Sequence, residues 1–344
     1  MILKKCVGGE RILNVRRMWV GLVAILWCSH IIVANHYSIV FVHLGTQLPS
    51  YVRYALEQAR LFNQTAPIYL IANREVVVDA QNRQAISDQN VDVIWCEDLE
   101  ISGHHREFLK SSSLDNSSRD GFWRKATERL FYLDEFMTQY GLKNVFHLEY
   151  DNMLYVDLSS LVPTFETYGN IAATFDNDRR CILGFVYIAH PYALTHLMKF
   201  FAKHANRGFN DMQIPVLYLQ EFGREYIDYL PIIPPSYAQH NVLQSSSGHT
   251  TRHADLYFNK FCLFDSIFDA AALGQYLGGI DPRNDPRNTV GFVNETCLFN
   301  PYYFSYIWLE DDLQRKVPHI VYRNQVFRIN NLHVHSKNLL AFKS

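Results

Sequence analysis

The feature that most constrains this chain is the alternation, from residue 37 onward, of short β-rich runs with segments of helical periodicity. Tyr37–His43 (YSIVFVH) reads as a strand. Pro49–Asn63 follows, with Val52, Ala55, Leu56, Ala59 and Phe62 recurring on one helical face and Pro49 suited to the first turn. Pro67–Ile71 (PIYLI) and Val91–Trp95 (VDVIW) read as strands. Phe122–Tyr140 is a long amphipathic helix, apolar at Phe122, Ala126, Leu130, Leu133 and Met137 and stopped by Gly141. Val145–Leu148 and Ile171–Phe175 are further strands. Strand, helix and strand in succession predict an α/β fold, a mostly parallel sheet with helices on its faces. Ser102–Asp120 is polar and Ser-rich and reads as a mobile loop over the site, with His104 and His105 facing solvent. After residue 230 the helices shorten and the loops lengthen, and no internal repeat or heptad occurs.

Such a fold needs apolar mass. The chain has 344 residues, 48% of them hydrophobic, with 23 Phe and 21 Tyr, far too many for a solvated coil. A net charge of −2 excludes a polybasic nucleic-acid binder, so no nucleic acid is expected as partner. Cys6, Cys28, Cys96, Cys181, Cys262 and Cys297 form no CxxC pair, which argues against a disulfide scaffold or structural zinc and leaves a disulfide or two open. Met18–Ala34 is a charge-free run behind Lys4, Lys5, Arg11, Arg16 and Arg17, and the next basic residue is Arg53. That asymmetry predicts a membrane-directed segment. It is either a single-pass type II anchor, Golgi- or ER-like if the source is eukaryotic, or a cleaved signal peptide of an exported protein. The expected organisation is a basic tail over 1–17, this segment over 18–34, and one α/β domain over 35–344.

The residues that carry chemistry are local. In FHLEYDNMLYVDL (146–158) an apolar strand ends at Leu148 and Glu149-Tyr150-Asp151 follows at its carboxyl end, where open α/β sheets bind ligands. Acids at i and i+2 of an extended backbone point to the same side and can hold a hard divalent ion, with a diphosphate completing its shell; an ordinary acidic turn is the plain alternative. Near the C-terminus, INNLHVHSKNL carries His333, His335 and Lys337, and an extended segment would put both imidazoles on one face; a solvated strand end is the alternative. In FWRKATERLFYL, Arg124, Lys125 and Arg129 lie close together, Arg129 beside Leu130 being the inward one unless the group is a solvated face paired with Glu128. CILGFVYI (181–188) places Gly184 in an apolar strand, as happens where a backbone closes on a ligand. Asn210 or Asp211 can cap a helix beginning there. In FDAAALGQYLGGIDPRN, Asp269–Leu277 reads as a helix capped by Asp269 and ended by Gly278-Gly279, with Asp281 and Arg283 in the turn beyond.

VFVHLG, a helix, PIYLIAN and a strand capped by Glu-x-Asp together resemble the GT-A glycosyltransferases, nucleotide-diphospho-sugar transferases whose D-x-D motif holds Mn²⁺ against the donor diphosphate. The resemblance covers residues 37 to 337 and implies a GT-A-like, Rossmann-like domain with a mostly parallel central sheet flanked by helices. Glu149 stands where the family has its first Asp, and its longer arm makes Asp151 the better direct ligand. In the glycogenin-like retaining families a late His followed by Lys supplies a third metal ligand and a donor-phosphate contact. This implies His335 for metal, Lys337 for phosphate and His333 as the alternate ligand. It also implies a nucleotide or phosphate contact from Arg124 or Arg129, Gly184 lining the donor sugar, and Asp211 in the sugar or acceptor pocket. Asp269, in a block similar to other nucleotide-sugar transferase-like proteins, is a candidate acceptor-side carboxylate.

The expected activity is Mn²⁺- or Mg²⁺-dependent transfer of a sugar from a nucleotide donor to a hydroxyl of a glycan, lipid or protein. UDP-linked donors come first and GDP-mannose next, and the late His and Lys favour retention. The alternative is an exported, non-catalytic carbohydrate-binding protein with a degenerate GT-A fold. A nucleotidyltransferase typically has a Gly-rich phosphate loop after the first strand, which HLGTQLPS lacks. A glycoside hydrolase needs its carboxylates across a cleft, about 5–9.5 Å apart. Neither a Ser-His-Asp elbow, a GxGxxG nor a Walker loop is present.

Overall fold

A run as apolar as SIVFVH is stable as a strand only where both faces are covered, and β1 (Ser38–His43) is buried along its whole length. The computed structural model describes residues 37–115 and 121–344. The apolar run at 18–34 and the basic tail before it therefore lie outside the described residues. Among the described residues, no helix is long and apolar enough to cross a membrane.

After β1 come α1 (Val52–Phe62), β2 (Ile68–Ala72), α2 (Ala80–Asp88), β3 (Val91–Trp95), α3 (Gly103–Ser111) and α4 (Phe122–Tyr140). Next are β4 (Val145–Leu148), β5 (Asn152–Leu154), α5 (Val162–Glu166), β6 (Ile171–Asn177) and β7 (Arg180–Ile188). They are followed by α6 (Pro191–His204), α7 (Ile214–Phe222), β8 (Ile227–Tyr229), α8 (Pro235–His240), α9 (Phe261–Phe264), β9 (Ser266–Ile267) and α10 (Leu273–Gly278). The chain closes with β10 (Ser305–Glu310), β11 (Lys316–Tyr322), β12 (Gln325–Ile329) and β13 (Asn331–His333).

The central sheet has seven strands in the order β3-β2-β1-β4-β7-β6-β8. Only β7 runs against the others, so the carboxyl ends of β1, β4 and β6 share one edge. This is the α/β layout the strand–helix alternation predicts. Aromatic side chains fill the core behind β4: Phe146 packs edge-on against Phe165 at 4.9 Å and, tilted, against Tyr187 at 5.2 Å. Gly141, left-handed, ends α4 as expected, its N–H reaching the Met137 carbonyl.

Three expectations fail. The polar stretch after Ser102 is no loop over residues 103–111: Ser102 caps α3, its hydroxyl accepting the His105 N–H at 3.2 Å. His105 and Phe108 bury that helix against α4, the imidazole stacking on Phe131 at 5.0 Å. The helix expected at Asn210 begins instead at Ile214, and the one expected over Asp269–Leu277 begins instead at Leu273.

What brings the far end of the chain to the sheet edge is β13. A four-stranded sheet, β10-β11-β12-β9, carries the chain back, and β13 then pairs antiparallel with β5, His333 opposite Asn152. Residues 331–337 thereby meet the exit of β4.

Candidate metal centre

β4 is buried throughout and ends at Leu148, so residue 149 is the first free to leave the sheet. The Asn152 N–H donates to the Glu149 carbonyl at 2.9 Å, closing a turn over Glu149-Tyr150-Asp151, and the Glu149 N–H donates to the Gly184 carbonyl at 2.9 Å. The carboxylates converge through this turn, not through the extended backbone that their spacing suggests. From the other end of the chain, the Val334 N–H donates to the Asp151 carbonyl at 2.8 Å. His333 Nε2 then lies 3.2 Å from Glu149 Oε2 and 3.3 Å from Asp151 Oδ2. One ligand atom from each of Glu149, Asp151 and His333 falls within 4.8 Å of the others. Two hard oxygens and an imidazole nitrogen form a donor set that fits a divalent cation.

His335 does not join them. β13 ends at His333, and the His335 N–H turns back onto the His333 carbonyl at 3.0 Å, which breaks the period-2 pattern. His335 Nδ1 accepts the Asp281 N–H at 3.1 Å. Burial, with Lys337 adding to it, pushes that imidazole down to about 4. The imidazole at the acid pair is therefore the alternate, His333. A second turn, from the Lys337 N–H to the Val334 carbonyl at 3.0 Å, swings the Lys337 ammonium onto Asp151. Lys337 holds a φ of +66°, a conformation that non-glycine residues keep only where their surroundings over-determine it.

Arg129 points inward as expected, pairing with Glu149 and, at 3.1 Å, with Asp211. Arg124 does not: five residues along a helix is about 140° around its axis. Its guanidinium donates instead to the Leu109 carbonyl at 2.9 Å, tying α4 to α3. Asp211 caps no helix. It is buried, its Oδ1 has no hydrogen-bond partner, and burial raises its carboxyl to about 6 against the pull of Arg129. Burial also opposes ionisation of the acid pair. Arg129 and His333 outweigh it at Glu149, Lys337 and His333 at Asp151, so both carboxyls are held below their ordinary range. Burial would lower His333, but the facing acids raise it.

Three further expectations change. Asp269 has no oxygen left for an acceptor: Oδ1 accepts the Ala272 and Leu273 N–H groups, and Oδ2 those of Gly274 and His333, all at 2.8–2.9 Å. Gly184 faces His333 rather than open space, because a Cβ there would lie 2.7 Å from His333 Nδ1. Asp281 is paired with Arg283 at 2.6 Å. His104 and His105 face carboxylates, not solvent: His104 Nε2 is 2.7 Å from Asp134 and His105 Nδ1 is 2.9 Å from Glu135. The sequence reading passes over Gly274 and the Asn152–Asn331 amide pair, bonded at 2.7 Å beside the acids. A glycine inside a helical pattern was the available signal for the first. The four described cysteines, Cys96, Cys181, Cys262 and Cys297, are free thiols.

No family model and no curated protein sequence matches the chain. Among solved structures it is similar to mouse xyloside xylosyltransferase 1, at 12% identity over 65% of this chain and 94% of that one, with a TM-score of 0.41. It is also similar to the galactosyltransferase LgtC in complex with donor and acceptor sugar analogues, at 12% identity over 64% and 82% of the two chains, TM-score 0.40. A cytidylyltransferase from Leptospira borgpetersenii matches at 12% identity over 57% and 76%, TM-score 0.35. Likenesses this distant leave substrate and reaction to be argued from the site itself.

Proposed function

We propose that this chain is a divalent-metal-dependent glycosyltransferase that moves a sugar from a nucleoside-diphosphate donor, UDP-linked in the first instance, to an acceptor hydroxyl of a glycan, lipid or protein. The observation that carries this reading is the convergence of Glu149, Asp151 and His333, with Lys337 and Arg129 paired to the two acids, at the carboxyl end of β4. Glu149, Asp151 and His333 would hold Mn²⁺ or Mg²⁺, and the chemistry such an ion supplies is charge neutralisation of the leaving diphosphate. Lys337 offers a compact positive charge to a donor phosphate. Arg129 holds the Glu149 and Asp211 carboxylates in fixed directions. The unpartnered Oδ1 of Asp211 is free to accept a sugar hydroxyl and so to orient it. The late His and Lys favour a retaining course. The apolar run behind basic residues at the N-terminus supports a membrane-directed chain, by anchor or by cleaved signal.

Titration of the full chain with UDP, with and without Mn²⁺, tests this for wild type and Asp151→Ala. The expected result is binding that needs the metal and is lost in the variant. Repetition with GDP selects the base. A folded protein that binds neither nucleotide overturns the reading and turns the weight to the exported carbohydrate-binding alternative.

A further inference from the structure

We propose that Asp269, Gly184 and Gly274 are positioning residues that build a socket for His333 and thereby set the metal affinity of the site. The proposal rests on the metal-centre reading above. His333 ends a three-residue strand whose ladder partner among the described residues is the equally short β5, and a two-stranded ladder of that length is weak by itself. Aiming an imidazole at two carboxylates requires more support than this.

The support comes from three directions. Asp269 is 2% exposed, and the same Oδ2 that takes the Gly274 N–H also takes the His333 N–H at 2.9 Å. One carboxylate therefore fastens the first turn of α10 and the His333 backbone together. Gly274 lies directly on the His333 peptide, where a Cβ would come 2.1 Å from the His333 carbonyl oxygen. Gly184 lies against the ring and the Asn152 amide, where a Cβ would come 2.7 Å from His333 Nδ1, 2.8 Å from Asn152 Nδ2 and 3.0 Å from His333 Cε1, while Nε2 faces the acids. Neither glycine has a positive φ, so each is required for space and not for backbone conformation. Residues from β7, from the turn before α10 and from α10 itself thus converge on His333, two on its backbone and one on its ring, and none of the three offers a free side-chain group to a ligand.

The test measures Mn²⁺ affinity on the full chain from the electron paramagnetic resonance of free Mn²⁺, with thermal melts alongside to verify folding. Gly184→Ala is expected to weaken binding about 10–100-fold, the usual cost of disturbing the groups that orient a metal ligand. In a His333→Ala background the same change is expected to add only a small further loss, because the ring is gone and only the Asn152 amide remains to be displaced. Equal weakening with and without His333, or none in either, overturns the socket. If Gly184→Ala does not fold, Asp269→Asn carries the test by the same readouts. Asp151→Ala separates the two readings: wild-type affinity in that variant, or no Mn²⁺ binding by wild type, sinks the metal centre. The socket is then read from the His333 Cε1 resonance of metal-free protein, expected to shift in Gly184→Ala, and an unmoved resonance overturns it.

Discussion

Helix α4 supports two buried charge clusters, and they are built on different plans. On one side Arg129 reaches Glu149 and Asp211, and beyond them lie Asp151, His333 and Lys337. On the other side Asp134 and Glu135 reach α3 and α6. Asp134 accepts from the Thr195 hydroxyl at 2.6 Å and faces His104 Nε2 at 2.7 Å. Glu135 Oε1 accepts the Ser102 N–H at 2.8 Å and faces His105 Nδ1 at 2.9 Å. There each carboxylate has its own donors, and the result is three helices fastened together. In the first cluster, ligand atoms of two acids and an imidazole meet within 4.8 Å, and long-armed cations compensate the crowding. Folding gains nothing from bringing like charges together, so convergence, and not burial of charge as such, distinguishes a ligand site from a brace.

The difference can be broken by exchanging the outcomes of two substitutions. Asp151→Ala is expected to abolish Mn²⁺-dependent UDP binding, a loss beyond about 100-fold, while stability changes by less than about 2 kcal/mol. It relieves a crowded acid pair, and the Lys337 side chain it strands is already 20% exposed and can reach water. Glu135→Gln is expected to do the reverse. Replacing the carboxylate by an amide weakens its hydrogen bonds to His105 and the Ser102 N–H and costs about 1.5–3 kcal/mol, read by urea denaturation, with UDP affinity per folded molecule unchanged. Lost binding at intact stability in Glu135→Gln would erase the distinction.

A smaller effect separates the clusters by pH. His147 on β4 donates from Nδ1 to the Val40 carbonyl at 3.0 Å, its Nε2 has no partner, and burial together with Arg129 pushes it down to about 4. Because the unfolded chain takes up this proton first, the stability is present above pH ~6.5 and is lost as pH falls toward 4, about 2 kcal/mol of it by pH 5. Burial would also lower His105, but Glu128 and Glu135 outweigh it and raise it. Its contribution has the opposite sign, present at low pH and lost as pH rises through the folded value. Urea denaturation at pH 5 and pH 7 should therefore show a flatter acid limb for His147→Asn and a steeper one for His105→Asn. Parallel limbs in both variants would mean that neither histidine is held as described.

How much of this was legible depended on how far away each residue's partner lies. β1, β3, β4 and α4 read correctly because their patterns are set by burial on the sheet or along one helix face. Helix α3 hid behind polar composition, since one of its two fully buried side chains is a histidine. Glu149 and Asp151 were visible as a local motif at a strand end. The choice of His333 over His335 was not, because a turn after β13 overrides the alternation and the His333 backbone is held by Asp269, 64 residues earlier. Gly184 and Asp269 invite a reading as ligand contacts for the same reason: the imidazole they serve is invisible from their own neighbourhoods.

The finest distinction rests on Lys337. Its ammonium occupies Asp151, the carboxylate a divalent ion would need, so cation and metal would compete for that carboxylate. Lys337→Met removes the competitor and with it the charge offered to a donor phosphate. A hydrogen bond to a charged group contributes about 1.5–3 kcal/mol. With the Lys337 side chain 20% exposed, the lower end applies, so UDP affinity in saturating Mn²⁺ should fall about tenfold. Mn²⁺ affinity without nucleotide should stay level or rise. That opposed response belongs to a group that touches the nucleotide and not the metal. If both affinities fall together, Lys337 fastens the 331–337 segment as Glu135 fastens α3, and the cation would belong to the bracing plan after all.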